Sequence, residues 1–149
     1  MKIAVASDHR GFELKKRLIV PTLQRAGHDV ADFGCDGVEL CDYPDYGVPA
    51  ARAVAAGQCE VGILLDGTGI GMSIVANKVR GVRAALAHDD VTARISREKN
   101  HCNVLCVPAD LISEMQVRDL VEIFLGTQFT DGRHSARLEK IRRLEAGEW

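Results

Sequence analysis

The segment Asp66-Gly67-Thr68-Gly69-Ile70-Gly71-Met72-Ser73 gathers residue types that can do chemistry. It follows the apolar run Val61-Gly62-Ile63-Leu64-Leu65. A short apolar run that ends in a glycine-rich turn and passes into a periodic segment predicts strand, loop and helix. Glycines let a backbone approach a ligand closely, and a helix start offers unpaired N–H groups to an anion. Asp66, at the strand end, puts a carboxylate where it can act as a base. No Lys-Ser/Thr follows Gly71, so this is not the triphosphate loop, and the alternating Gly67, Gly69 and Gly71 miss the dinucleotide pattern. The plain structural alternative is that Asp66 caps the helix and Gly67 makes the turn.

Three other groups have the same double reading. In Asp8-His9-Arg10-Gly11, a His and an Arg at a helix start suit an anionic ligand, or Asp8 simply caps that helix. Arg133-His134-Ser135-Ala136-Arg137 sets two arginines four apart on one helix face. Paired guanidinium groups suit phosphate or carboxylate, yet Lys140, Arg142 and Arg143 follow and a solvated basic face competes. Lys99-Asn100-His101 precedes a strand, where a turn or capping role is the default.

These residues need elements to position them. Ile3–Ser7, His28–Phe33, Val61–Leu65, Val82–Ala87 and Val104–Val107 read as strands. Helical spacing runs over Gly11–Ala26, with Pro21 expected to kink or shift it and Gly27 as a stop. Further helices are predicted from the Asp42-Tyr43-Pro44-Asp45-Tyr46 loop through Ala56, over Ile70–Lys78 and Asp90–Glu98, from a Ser113 cap to about Leu125, and over roughly Ser135–Ala146. Five strands alternating with helices predict an α/β chain, a Rossmann-like doubly wound five-stranded parallel sheet with helices on both faces. Ligands on such sheets bind at the carboxyl ends of the strands. That rule gathers Asp8, His9, Asp66 and the segment His88–Asp90 into one place.

The chain has 149 residues, enough for one domain with a substantial core, and no linker or repeat divides it. A net charge of −2 implies no broad attraction to nucleic acid or anionic membrane. No apolar stretch reaches bilayer length, and Met1-Lys2-Ile3-Ala4-Val5 runs straight into a strand rather than a signal-peptide layout. Five cysteines without a CxxC pair fit reduced thiols, most of them small buried hydrophobes, in a cytoplasmic protein.

Taken together, the chain resembles the ribose-5-phosphate isomerase B family, which includes the two subunits of galactose-6-phosphate isomerase. The matching pieces are Ala6-Ser7-Asp8-His9, Phe12-Glu13-Leu14-Lys15, Asp42-Tyr43-Pro44-Asp45 and Gly67-Thr68-Gly69-Ile70-Gly71-Met72-Ser73. They continue through Ala76-Asn77-Lys78, Gly81-Val82-Arg83-Ala84-Ala85, Asn103-Val104-Leu105, and Gly132-Arg133-His134 with Arg137. They cover nearly the whole chain, in order. The resemblance implies a metal-free, cofactor-free aldose–ketose isomerisation of a sugar phosphate through a cis-enediolate. It also implies one domain over 1–149, in a homodimer or homotetramer whose active sites are shared across the subunit interface, with the C-terminal helix contacting a neighbouring subunit.

By that resemblance Asp66 is the base and Thr68 a catalytic companion. Gly67, Thr68, Gly69, Gly71 and Ser73 hold the enediolate or sugar oxygens. Asp8 and Tyr43 line the sugar site, Asn100 contacts substrate, and His9, Arg133 and Arg137 hold the phosphate. Three family roles fall on changed residues. Asp66 stands where many members have a cysteine base, and Met72 where others have a glutamate. Lys99 stands at the ring-opening histidine, with His101, His9 and His134 as other candidates for that step. Asp110 stands at an arginine that assists the phosphate. These changes point to a sugar phosphate other than ribose 5-phosphate. Two further readings remain open here: a subunit that needs a paralogous second chain, and a sugar-phosphate sensor without chemistry.

Overall fold

The computed structural model describes residues 1–149. Its five strands are β1 (Lys2–Ser7), β2 (Asp29–Asp32), β3 (Val61–Asp66), β4 (Ala84–Leu86) and β5 (Val104–Pro108). They form one parallel sheet in the order β2-β1-β3-β5-β4. β1, β3 and β5 are buried almost throughout, as expected of parallel strands covered on both faces.

Alternation along the strands sorts the two cores. Ile3, Val5, Ile63, Leu65, Leu105 and Val107 point to one face. There they meet Leu14, Leu18 and Leu23 of the first helical stretch, Ala93 of α5 (Asp90–Glu98), and Val117, Leu120 and Phe124 of α6 (Glu114–Gly126). Ala4, Ala6, Leu64, Val104 and Cys106 point to the other. Their partners are Ala50, Ala51 and Val54 of α3 (Tyr43–Ala55), and Met72 and Ala76 of α4 (Ile70–Asn77). Small side chains dominate this second face, so α3 and α4 can sit close to the sheet.

The first helical stretch is α1 (Phe12–Leu14), a π turn over Lys15–Ile19, and α2 (Val20–Arg25). Pro21 was expected to kink or shift this helix. The π turn lies just before it and Pro21 falls in the first turn of α2, so the hydrogen-bond ladder shifts at the proline without breaking the helical stretch. Lys15 is buried inside the π turn, and its Nζ donates to Asp32 Oδ1 at 2.6 Å and Cys35 O at 2.8 Å. The fourth strand is shorter than its predicted range, because Val82 and Arg83 form the turn into it. Asn103 holds that turn, accepting from Arg83 N–H and donating to Gly81 O. The last helix, α7 (Arg133–Glu145), starts two residues earlier than predicted, after Gly132 at φ 84°. No helix is long and apolar enough to cross a membrane.

Candidate active site

The chain reverses direction across the sheet at β1. It moves outward to β2, then returns to place β3 on the other side of β1. A parallel sheet opens a crevice at such a switch point, beyond the carboxyl ends of the two strands. Asp8 follows β1 and Asp66 ends β3, so both stand there. A pocket of about 370 Å³ is lined by Asp8, Arg10, Tyr43, Asp66, Gly67, Thr68, Gly71 and Asp110.

Asp66 is buried, and both its oxygens bind the loop that follows. Oδ1 accepts the N–H groups of Thr68, at 3.0 Å, and of Gly69. Oδ2 accepts the Met72 N–H at 2.7 Å. The capping role foreseen for Asp66 is therefore present, and Asp66 lines the pocket as well. Gly69, with φ 74°, has the left-handed backbone this turn needs. Gly71 has no room for a Cβ, which would lie 2.8 Å from the Tyr43 ring and 3.0 Å from Asp66 Oδ2.

This geometry sorts the backbone donors of the loop. Gly67, Thr68, Gly69, Gly71 and Ser73 were all expected to hold substrate oxygens. The N–H groups of Thr68 and Gly69 are taken by Asp66, and that of Ser73 by Gly69 O at 3.0 Å. Gly67 and Gly71 keep N–H groups with no partner in the chain, and both line the pocket. The Thr68 hydroxyl accepts the Ile70 N–H at 3.3 Å, which leaves its proton available.

Asp8 is also buried, and its Oδ1 accepts the N–H groups of Arg10 at 2.9 Å and Gly11 at 3.0 Å. Burial pushes its carboxyl above the ordinary value, and the negative charge of Asp66 adds to this against the opposing N–H donors. The folded chain thus holds this proton more tightly than the unfolded chain. Such a group loses stability as pH rises from 3.8 through its folded value, and the loss is complete above that value. Asp8→Asn keeps an acceptor and removes the charge. It is expected to melt at a higher temperature than the unchanged chain at pH 7, with the gain shrinking as the pH falls towards 3.8. An equal or lower melting temperature at pH 7 would refute this account of Asp8.

Arg10 and Asp110 close the pocket from the other side. Asp110 Oδ2 accepts from Arg10 Nε and Nη2, both at 2.6 Å. Asp110 N–H donates to Gly67 O at 3.0 Å, which ties the β5 exit to the glycine loop. Sequence reasoning places Arg10 in the Asp8-His9-Arg10-Gly11 motif without singling it out as a site residue. Its partner lies 100 positions away, so only the departure at Asp110 hinted at the pair.

The remaining candidates are elsewhere. His9 Nδ1 lies 3.2 Å from Cys41 O and 3.4 Å from Cys41 N, tethering the loop before α3. His88–Asp90 was expected in the crevice and is not in the pocket, because β4 is an edge strand two positions from β3. Asp89 caps α5 instead, accepting the Thr92 N–H at 2.8 Å. Lys99 caps the end of α5, and Asn100 and His101 follow it at the amino ends of the strands. The five residues of β5 separate this edge from the pocket edge by about 16 Å. His101 stacks on Phe129, with ring centroids 4.7 Å apart. Desolvation there, with the charges of Arg83, Arg97 and Arg142, pushes its imidazole below the ordinary value of 6.5. Thr130 N–H donates to Glu98 O at 2.8 Å, so the approach to α7 docks at this same edge. Arg133 and Arg137 are exposed on α7, and His134 between them is buried with Nδ1 unpartnered. One chain therefore carries two groups of polar residues at opposite edges of its sheet.

The parallel sheet with a carboxylate-lined crevice at its switch point defines a doubly wound α/β protein built to bind a small polar molecule. The chain belongs to the ribose/galactose isomerase family, whose model matches residues 3–141. It is 40% identical over 144 residues to ribose-5-phosphate isomerase B of Escherichia coli K12, covering 97% of this chain and 96% of that protein. Ribose-5-phosphate isomerase B of Clostridium thermocellum superposes with a TM-score of 0.96 at 42% identity, over 100% of both chains. The Mycoplasma genitalium ribose-5-phosphate isomerase B with bound ribulose 5-phosphate superposes at 0.93, with 37% identity over 97% of this chain and 96% of that one.

Proposed function

We propose that this chain interconverts an aldose phosphate and the corresponding ketose phosphate through a cis-enediolate, with Asp66 as the base. The observation that carries this reading is the crevice itself. A buried carboxylate, a second carboxylate with raised proton affinity, and two unpartnered N–H groups surround one pocket. Asp66 Oδ2 accepts one hydrogen bond, and a carboxylate oxygen has room for another partner. It takes the proton from the carbon beside the carbonyl. The electron pair left on that carbon forms the enediol double bond, and the carbonyl oxygen becomes the oxyanion. The N–H groups of Gly67 and Gly71 face that charge as fixed donors. Returning the proton to the neighbouring carbon completes the isomerisation. Asp8 and Tyr43 line the sugar, and Thr68 moves a proton between its oxygens.

The working site is composite. Lys99, Asn100, His101, Arg133 and Arg137 lie at the far edge of the sheet from Asp66, beyond the reach of one pocket. A second copy related by two-fold symmetry would bring its far edge to the pocket of the first. Ile70 and Ile74, one turn apart beside the glycine loop, are 54% and 52% exposed and offer an apolar surface for that docking. His9 and the incoming Arg133 and Arg137 would then hold the phosphate, while Lys99 or the neutral His101 assists ring opening.

Proton NMR in deuterated solvent tests the reading. The purified chain, incubated with four- to six-carbon aldose and ketose phosphates, is expected to exchange the hydrogen at C2 of one of them. Thermal stabilisation by a sugar phosphate without exchange of any would overturn stand-alone isomerisation and favour a two-chain enzyme or a sensor.

A further inference from the structure

We propose that the Arg10–Asp110 pair reads hydroxyl groups of the sugar and sets which sugar phosphate the pocket accepts. This rests on the sugar-phosphate reading above. Both side chains line the pocket that holds Asp8 and Asp66. They lie directly on the glycine turn: a Cβ on Gly67 would be 2.7 Å from Asp110 Oδ2 and 3.4 Å from Arg10 Nε. An exposed ion pair contributes at most about 1 kcal/mol to stability, so the place of this one matters more than its strength.

The hydrogen bonds of the pair leave a specific set of groups free. Arg10 approaches a single carboxylate oxygen, Oδ2, through Nε and Nη2. Asp110 Oδ1 has no partner, and three of the five guanidinium protons remain. One acceptor beside several donors matches a hydroxyl or a pair of adjacent hydroxyls, which both donate and accept. The Asp110 N–H bond to Gly67 O at 3.0 Å holds its backbone beside the glycine turn.

Charge decides against the phosphate as the occupant. The pocket holds three carboxylates, Asp8, Asp66 and Asp110, and one guanidinium, a formal excess of two negative charges. A phosphate dianion there would meet like charge, whereas a neutral hydroxyl would not. In the composite site the phosphate is held instead by His9 and by the Arg133 and Arg137 that a second copy brings. The hydroxyl-bearing end of the substrate therefore lies against Arg10 and Asp110, with its phosphate directed away from them.

Calorimetric titration tests this without requiring turnover. The ligands are four- and five-carbon polyol phosphates and their analogues lacking one hydroxyl, and the proteins are the unchanged chain, Arg10→Ala and Asp110→Asn. The unchanged chain is expected to prefer one hydroxylated ligand over its deoxy form by about tenfold or more. Both variants are expected to reduce that preference to under about twofold, because deleting either side of one hydrogen bond makes the other deletion nearly silent. Their affinity for inorganic phosphate should change much less than that preference, because His9, Arg133 and Arg137 hold the phosphate. A preference that survives in both variants overturns the proposal while leaving the isomerase reading intact. Failure of every polyol phosphate to bind the unchanged chain refutes both.

Discussion

Asp66→Asn is expected to abolish exchange of the substrate's C2 hydrogen with solvent, with a loss of about 10²- to 10⁴-fold in rate, the usual contribution of a general base. Loss alone would be ambiguous here, because Asp66 also caps the glycine loop. An asparagine oxygen can still accept from Thr68 and Gly69, but its amide would then point N–H at the N–H of Met72, whose bond to Oδ2 is 2.7 Å. Leaving one buried donor unpaired costs about 1–3 kcal/mol, enough to shift the loop and lower the melting temperature. Asp66→Cys separates the two roles. A thiolate is a base but cannot accept from three N–H groups, so this variant should lose cap stability and keep some turnover. Its rate should climb with pH towards the ordinary thiol value of about 8.5, a dependence the carboxylate cannot produce. Exchange that survives Asp66→Asn at the unchanged rate would rule out Asp66 as the base.

The strands were legible because β1, β3 and β5 are buried on both faces, and burial of that kind writes continuous apolar runs. Their alternation with helices and the rule that ligands bind at the carboxyl ends of the strands bring Asp8 and Asp66 together from the sequence alone. What the sequence left open was set by contacts between distant positions. The π turn ahead of Pro21 depends on Lys15 reaching Asp32 and Cys35. The distribution of loop N–H groups depends on how far Asp66 reaches into its own turn. His88–Asp90 looked equivalent to the other strand ends, but strand order, which periodicity does not encode, put it at the edge. The Arg10–Asp110 pair was hidden for the same reason: opposite charges 100 residues apart carry no local signal. The paired arginines of α7 were legible as a motif, but not their separation from Asp66 by the height of the sheet.

That separation makes a second strong prediction. Asp66→Asn damages the pocket and leaves the far edge intact, whereas Arg133→Ala with Arg137→Ala does the reverse. Each variant alone is expected to be nearly inactive. If each active site takes its pocket from one copy and its arginines from another, a mixed dimer contains one site with both defects and one with none. Random pairing of equal amounts makes half of all dimers mixed, so co-expression of the two variants should restore about a quarter of full activity. Sites built within a single chain would restore nothing, since neither variant carries a complete set. The same mixture provides an internal control. Ile74→Glu puts a charge on an exposed apolar position of α4, next to the glycine loop. Added to both variants, it should give monomers on size exclusion and remove the recovered activity, because a charge buried in an interface without a partner is strongly unfavourable. An active Ile74→Glu monomer that keeps Asp66, Arg133 and Arg137 would mean that α7 reaches the pocket of its own chain, against the position of Thr130 beside Glu98 at the opposite edge.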